Sequence, residues 1–185
     1  MDKVRIGIIG SKFAADFHVD SYRRNKQAEV VAVCSPSYPV EFAHKWGIPQ
    51  VYKDYREMLV KKEIDVVDIC TPNFLHAEIA IAAAQAGKHI ICEKPMATKV
   101  EDARKMAEVC REQKVLFFYA EDWVFSPALV RAKQIIQEKA LGEIFWIKAK
   151  EVHNGSHSKF AQLKQYCGGG AIIHLAIHCI NWMRA

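Results

Sequence analysis

Residues 4–15 read Val4-Arg5-Ile6-Gly7-Ile8-Ile9-Gly10-Ser11-Lys12-Phe13-Ala14-Ala15, an apolar strand that meets a glycine and turns into a helix-like pattern running to about Arg24. The same phrase then repeats. Strand-like runs at 29–34, 65–70, 88–92 and 115–119 alternate with helix-like stretches at 40–46, 55–61, 73–86 and 100–112. The runs are rich in Val and Ile without polar alternation, which marks strands buried on both faces, as in a parallel sheet. Strand and helix alternating at this spacing predict right-handed crossovers and a doubly wound α/β fold over residues 1–120.

Beyond Ala120 the grammar changes. Ser126-Pro127 opens a helix over 128–139, Gly142 ends it, and 144–152 alternates like a strand with one covered face. A polar loop follows with His153, Asn154, Gly155, Ser156 and His157. Then come a Gly168-Gly169-Gly170 hinge and an apolar helix to the terminus. One strand cannot make a sheet. Residues 121–185 are therefore expected to be part of a second domain of a different kind, present only in part.

The chain has 185 residues, 51% apolar and 25% charged, as an ordinary globular protein does. No apolar run is long enough for a bilayer-spanning helix, and Lys3 and Arg5 interrupt the first one, so neither a membrane nor a secretory reading is expected. The net charge of +5, from 26 basic and 21 acidic residues, is dispersed rather than clustered, which argues against a nucleic-acid partner. Six cysteines without a C-x-x-C pair read as buried thiols in a reducing cytoplasm.

The turn at Gly10 is what a dinucleotide site needs, since pyrophosphate must approach backbone and rest on a helix N-terminus. Gly10 takes the first glycine place, Lys12 replaces the second, and Ala15 stands at the third, where alanine is an accepted variant. Lys12 either points outward to pair with a phosphate or blocks the site. At the end of the second strand, Ser35 stands where an NAD site usually presents an acid to the ribose, so NADP is allowed as well as NAD. Thr71-Pro72-Asn73, with His76 beyond it, and Glu93-Lys94-Pro95 both follow strand ends, where open α/β sheets put their ligands.

These two segments, within residues 66–98, resemble the glucose–fructose oxidoreductase/inositol dehydrogenase (Gfo/Idh/MocA) family. The likeness continues through Phe125-Ser126-Pro127-Ala128 and Leu141-Gly142-Glu143-Ile144 to Gly168-Gly169-Gly170 and His178. It implies a Rossmann domain followed by an α/β domain whose open sheet often mediates oligomerisation, so a homo-oligomer is expected. It also implies an NAD- or NADP-dependent oxidoreductase acting on a small sugar, inositol or related polyol. The family lysine falls on Lys94, which would hydrogen-bond the reacting oxygen. The family histidine falls on His178, the expected general base, a role suited to a residue whose ordinary pKa is about 6.5. His174 stands where the family commonly has Asp and lies one turn earlier. By the same resemblance Gly10, Ser11, Lys12, Phe13, Ala14 and Ser35 would hold the adenosine and pyrophosphate side. Thr71, Pro72, Asn73 and His76 would line the nicotinamide side, with Glu93 fixing the turn before Lys94.

Two rival readings stand beside this one. The pairs His153/His157 and His174/His178 have metal-ligand spacing, but His178 is accounted for without metal and none is expected. Family chains run to about twice this length. With Lys12 for glycine and His174 for aspartate, the alternative is a truncated, inactive nucleotide-binding remnant or a regulatory protein. Trp123, Trp146 and Trp182 are expected in the core rather than as sugar platforms.

Overall fold

The computed structural model describes residues 3–152, 155 and 158–184. The apolar runs form six strands, β1 (Val4–Ile9), β2 (Ala28–Cys34), β3 (Gln50–Tyr52), β4 (Val66–Ile69), β5 (His89–Glu93) and β6 (Phe117–Ala120). They lie in one sheet in the order β3-β2-β1-β4-β5-β6, every pair parallel. The chain leaves β1 toward β2 on one side and returns as β4 on the other. That reversal opens a crevice at the carboxyl ends of β1 and β4.

Successive strand residues point to opposite faces, and each face is packed by its own helices. Ile6, Ile8 and Val33 pack with Ala15 and Val19 of α1 (Phe13–Arg24) and Phe42 and Ala43 of α2 (Pro39–Trp46). Ile9, Ala32, Val67, Ile69 and Ile90 pack instead on helices α3 (Tyr55–Leu59), α4 (His76–Gln85) and α5 (Val100–Glu112). Small residues on α4, Ala80, Ala83 and Ala84, are fully buried and let that helix lie close to the sheet. The doubly wound Rossmann fold is thus present. All six cysteines are free, and among the described residues no helix is long and apolar enough to cross a membrane.

Three local expectations need correction. The stretch 73–86 is divided, with a 3-10 turn at Asn73–Leu75 ahead of α4. β3, only three residues long, had no periodic signal. The expected strand at 144–152 is absent, and Phe145 (97%), Trp146 (73%) and Val152 (73%) stand exposed. A strand needs a neighbour for its N–H and C=O groups, and among the described residues none runs beside this one. After α6 (Pro127–Gln137) come α7 (Lys164–Cys167), a π-helical turn at Ile172–Ala176 and α8 (Ile177–Arg184). His153, Asn154, Ser156 and His157 lie outside the described residues, so the His153/His157 pair has no structural description.

Candidate active site

The turn between β1 and α1 is built on backbone contact. The Gly10 N–H donates to the Cys34 carbonyl at 2.8 Å, and its φ of +129° excludes an ordinary side chain. A Cβ there would lie 2.4 Å from the Cys70 carbonyl oxygen at the end of β4. Lys12 is the N-cap of α1 and its side chain caps nothing. Its ammonium sits 5.6 Å from the centre of the Tyr38 ring. The side chain is therefore turned toward the loop after β2. Phe13 is exposed and packs edge-to-face on Phe17, while Ala14 is half-buried.

Ser35 is buried, and its hydroxyl donates to the Ser37 carbonyl at 2.8 Å. The Ser11 hydroxyl lies 2.9 Å from Ser35 Oγ and 2.7 Å from the same carbonyl. Ser35, expected at the adenosine end of the site, ties the two loops together. Its proton is engaged within its own loop.

At the end of β4, Thr71 Oγ1 is buried without a hydrogen-bond partner. Pro72 leads into the 3-10 turn, and Asn73 Nδ2 donates to the Cys167 carbonyl at 3.1 Å. His76 does not line the crevice as expected. It is fully buried, with Nδ1 2.8 Å from the Pro95 carbonyl and Nε2 2.9 Å from the Thr71 carbonyl. Burial holds this imidazole below the usual histidine pKa despite those two acceptors. It holds the loops after β4 and β5 at a fixed spacing.

Glu93 and Lys94 follow β5. Glu93 Oε2 accepts from the Lys94 N–H at 2.8 Å, and Oε1 lies 3.1 Å from His18 Nε2. The other His18 nitrogen is 2.7 Å from Asp68, which also accepts from the Tyr22 hydroxyl at 2.8 Å. Burial opposes charge on His18, but its hydrogen bonds to Asp68, Cys70 and Glu93 raise its pKa well above the usual range. Glu93 moves down: burial pushes it up, and His18 and Lys94 outweigh burial. A cation on α1 thus braces the turn that presents Lys94. His18 and Asp68 carried no signal in sequence, since their partners lie 50 and 75 residues away.

The Lys94 ammonium donates to the His174 carbonyl at 3.2 Å. His174 lies in the π-helical turn ahead of α8, and its backbone carbonyl is what accepts from Lys94. Gly168, with φ +85°, caps α7 and packs on Thr98, where a Cβ would come within 2.7 Å. The expected hinge is a packed contact at this glycine. His178 on α8 is buried, stacked on Trp123 with ring centres 5.4 Å apart and planes 16° apart. Its Nδ1 bonds Glu121, a buried carboxylate directly after β6. Sequence reasoning passed over Glu121, although its place at a strand's carboxyl end was the available signal.

Residues 4–121 match the family model described as "Oxidoreductase family, NAD-binding Rossmann fold". The chain belongs to this oxidoreductase family. It is 33% identical to levoglucosan dehydrogenase of Pseudarthrobacter phenanthrenivorans over 199 aligned positions, covering 100% of this chain and 51% of that one. To D-glucoside 3-dehydrogenase of Escherichia coli it is 31% identical, over 96% of this chain and 52% of the other. A solved structure of levoglucosan dehydrogenase in complex with NADH and L-sorbose superposes with a TM-score of 0.84 at 32% identity, over 100% of this chain and 53% of that one. The chain spans about half the length of the curated relatives it matches.

The residues present fit the nicotinamide dinucleotide that the family's fold implies. Gly10 lets the end of β4 close against the turn, and the first turn of α1 has no side-chain cap to compete with a phosphate. Lys12 is turned away over Tyr38, and Thr71 offers a buried hydroxyl in want of a partner.

Proposed function

We propose that this chain carries the cofactor-binding and reacting groups of an NAD(P)-dependent dehydrogenase that oxidises a hydroxyl of a sugar, inositol or related polyol, or reduces the matching carbonyl. The observation that carries the reading is the contact of Lys94 with the His174 carbonyl, which brings the lysine turn after β5 against the segment leading into His178. The naming of relatives as dehydrogenases of levoglucosan and of D-glucosides supports the substrate class.

In this reading Gly10, Ser11, Lys12, Phe13, Ala14 and Ser35 form the adenosine and pyrophosphate end, Ser35 by holding its loop. Thr71, Pro72 and Asn73 face the nicotinamide end, and Glu93 and His76 hold the loops. When bound, the nicotinamide ring supplies the hydride acceptor. Lys94 donates a hydrogen bond to the substrate oxygen and offsets the charge that develops as its proton leaves. His178 takes that proton from the hydroxyl and returns it in the reverse direction. His174 borders the site. Residues 121–185 are read as the start of a substrate domain. Self-association through the exposed apolar stretch at 144–147 and a reducing, cytoplasmic setting, in keeping with six free thiols, complete the proposal.

The test is calorimetric titration of the purified chain with NADH and with NADPH, followed by a polyol screen. Saturable binding of either supports the reading. Turnover should fall at least about 100-fold in Lys94→Ala and His178→Asn, as loss of a charge-stabilising donor or a base requires. Absence of binding by a folded chain favours the remnant reading instead.

A further inference from the structure

His178 is held on every side that matters to its proton. Glu121 is 2% exposed, and three nitrogens converge on its carboxylate. Oε1 bonds His178 Nδ1 and accepts from the Trp123 N–H at 3.2 Å, while Oε2 accepts from Asn181 Nδ2 at 2.8 Å. Two donors of fixed direction, the Trp123 N–H and the Asn181 amide, favour the acceptor form of this carboxylate. An acceptor facing Nδ1 places the shared proton on Nδ1. Asp122 stands 3.7 Å from the same nitrogen but is 86% exposed and adds little. Trp123 fixes the ring plane by stacking, and Asn181, three residues on from His178 along α8, holds the carboxylate from the other side.

We propose that Glu121 is the positioning residue that locks His178 in the Nδ1–H tautomer and aims Nε2 as the proton acceptor. The inference rests on the reading of His178 as the base. It adds the group that makes the imidazole usable, since a histidine carrying its proton on Nε2 offers no lone pair there. The carboxylate and the ring come from separate segments, 57 residues apart in sequence. Their meeting therefore depends on α8 docking over the end of β6.

The tautomer is read directly by long-range proton–nitrogen NMR of the histidine-labelled 185-residue chain, with His178 assigned by the signal lost in His178→Asn. The wild-type ring is expected as the Nδ1–H form. Glu121→Ala should lower the ratio of Nδ1–H to Nε2–H by about tenfold or more, the loss of a charge-assisted bond. Glu121→Gln keeps an acceptor oxygen and should largely restore the wild-type ratio. Should Glu121→Ala fail to fold, the wild-type spectrum still decides: a proton on Nε2 overturns the proposal. An unchanged ratio in folded Glu121→Ala overturns it too. None of these readings requires turnover. If His178→Asn retained full activity, the base assignment would fail while the tautomer lock still stood.

Discussion

Lys94 Nζ reaches the carbonyl oxygen of His174, eighty residues further along the chain, at 3.2 Å. That carbonyl belongs to a π-helical turn, where the usual helical hydrogen-bond register is broken and an outside donor is useful. Replacing Lys94 by Met keeps the stem and removes the donor. Amide exchange across 172–178 is expected to quicken several-fold, with the sheet amides unchanged. Equal exchange in both proteins would show that the contact carries no tethering.

Thr71 carries a buried hydroxyl with no protein hydrogen-bond partner among the described residues, and so has bonding capacity to offer a ligand. Thr71→Val has nearly the same shape and no polar atom to satisfy. It should leave the ligand-free chain as stable as before or up to about 1 kcal/mol more so. Affinity for the nicotinamide dinucleotide should drop about 3- to 10-fold by calorimetry. Lower stability with unchanged affinity would mean the hydroxyl serves the fold.

The ion network on α1 gives stability a pH dependence with a definite sign. His18 has its pKa raised in the folded chain, against burial, by Asp68, Cys70 and Glu93. The unfolded chain releases that proton near pH 6.5 while the folded chain keeps it. Its contribution is therefore complete below about pH 6.5 and declines as pH rises. Glu93, lowered in the folded chain, acts oppositely, and its contribution is lost as the solution turns acid. Urea unfolding at pH 6 and pH 9 should show the wild type losing about 1–3 kcal/mol more than His18→Gln over that interval. Parallel losses would mean that His18 is neutral.

Gly168 has two independent reasons to be glycine: a φ of +85° and Thr98 within 2.7 Å of where a Cβ would stand, with the Thr98 Cα at 2.9 Å. Gly168→Ala should cost about 2 kcal/mol or more in urea unfolding. Gly170→Ala, with nothing within 4 Å of its added methyl, should cost much less. Similar costs at the two positions would show that the packing on Thr98 is loose.

What could be read in the sequence was what local pattern encodes. Strands buried on both faces are Val- and Ile-rich whatever their neighbours, so the parallel sheet was legible, and α5 lay where its periodicity put it. Lys94 and His178 became candidates through resemblance rather than periodicity. The rest depends on distance in space. His76 looks like a ligand-facing residue until the Pro95 carbonyl closes over it. Ser35 looks available until Ser37 takes its proton. Glu121 gains meaning only when α8 arrives beside it. At 144–152 the alternation is plain, yet alternation states only which face wants cover, and pairing is decided by neighbours.

That same stretch gives the protein a label of its own. Trp46 donates to Asp16, Trp123 stacks on His178 and Trp182 donates to the Leu129 carbonyl, whereas Trp146 stands 73% exposed. Its indole should emit at the red edge of the tryptophan spectrum and be the fraction of the fluorescence that iodide extinguishes. Anything that settles over this stretch, a second copy included, should shift that emission to the blue and shield it from the quencher. Assembly can then be followed by light, in the unmodified chain, one indole reporting for the whole surface.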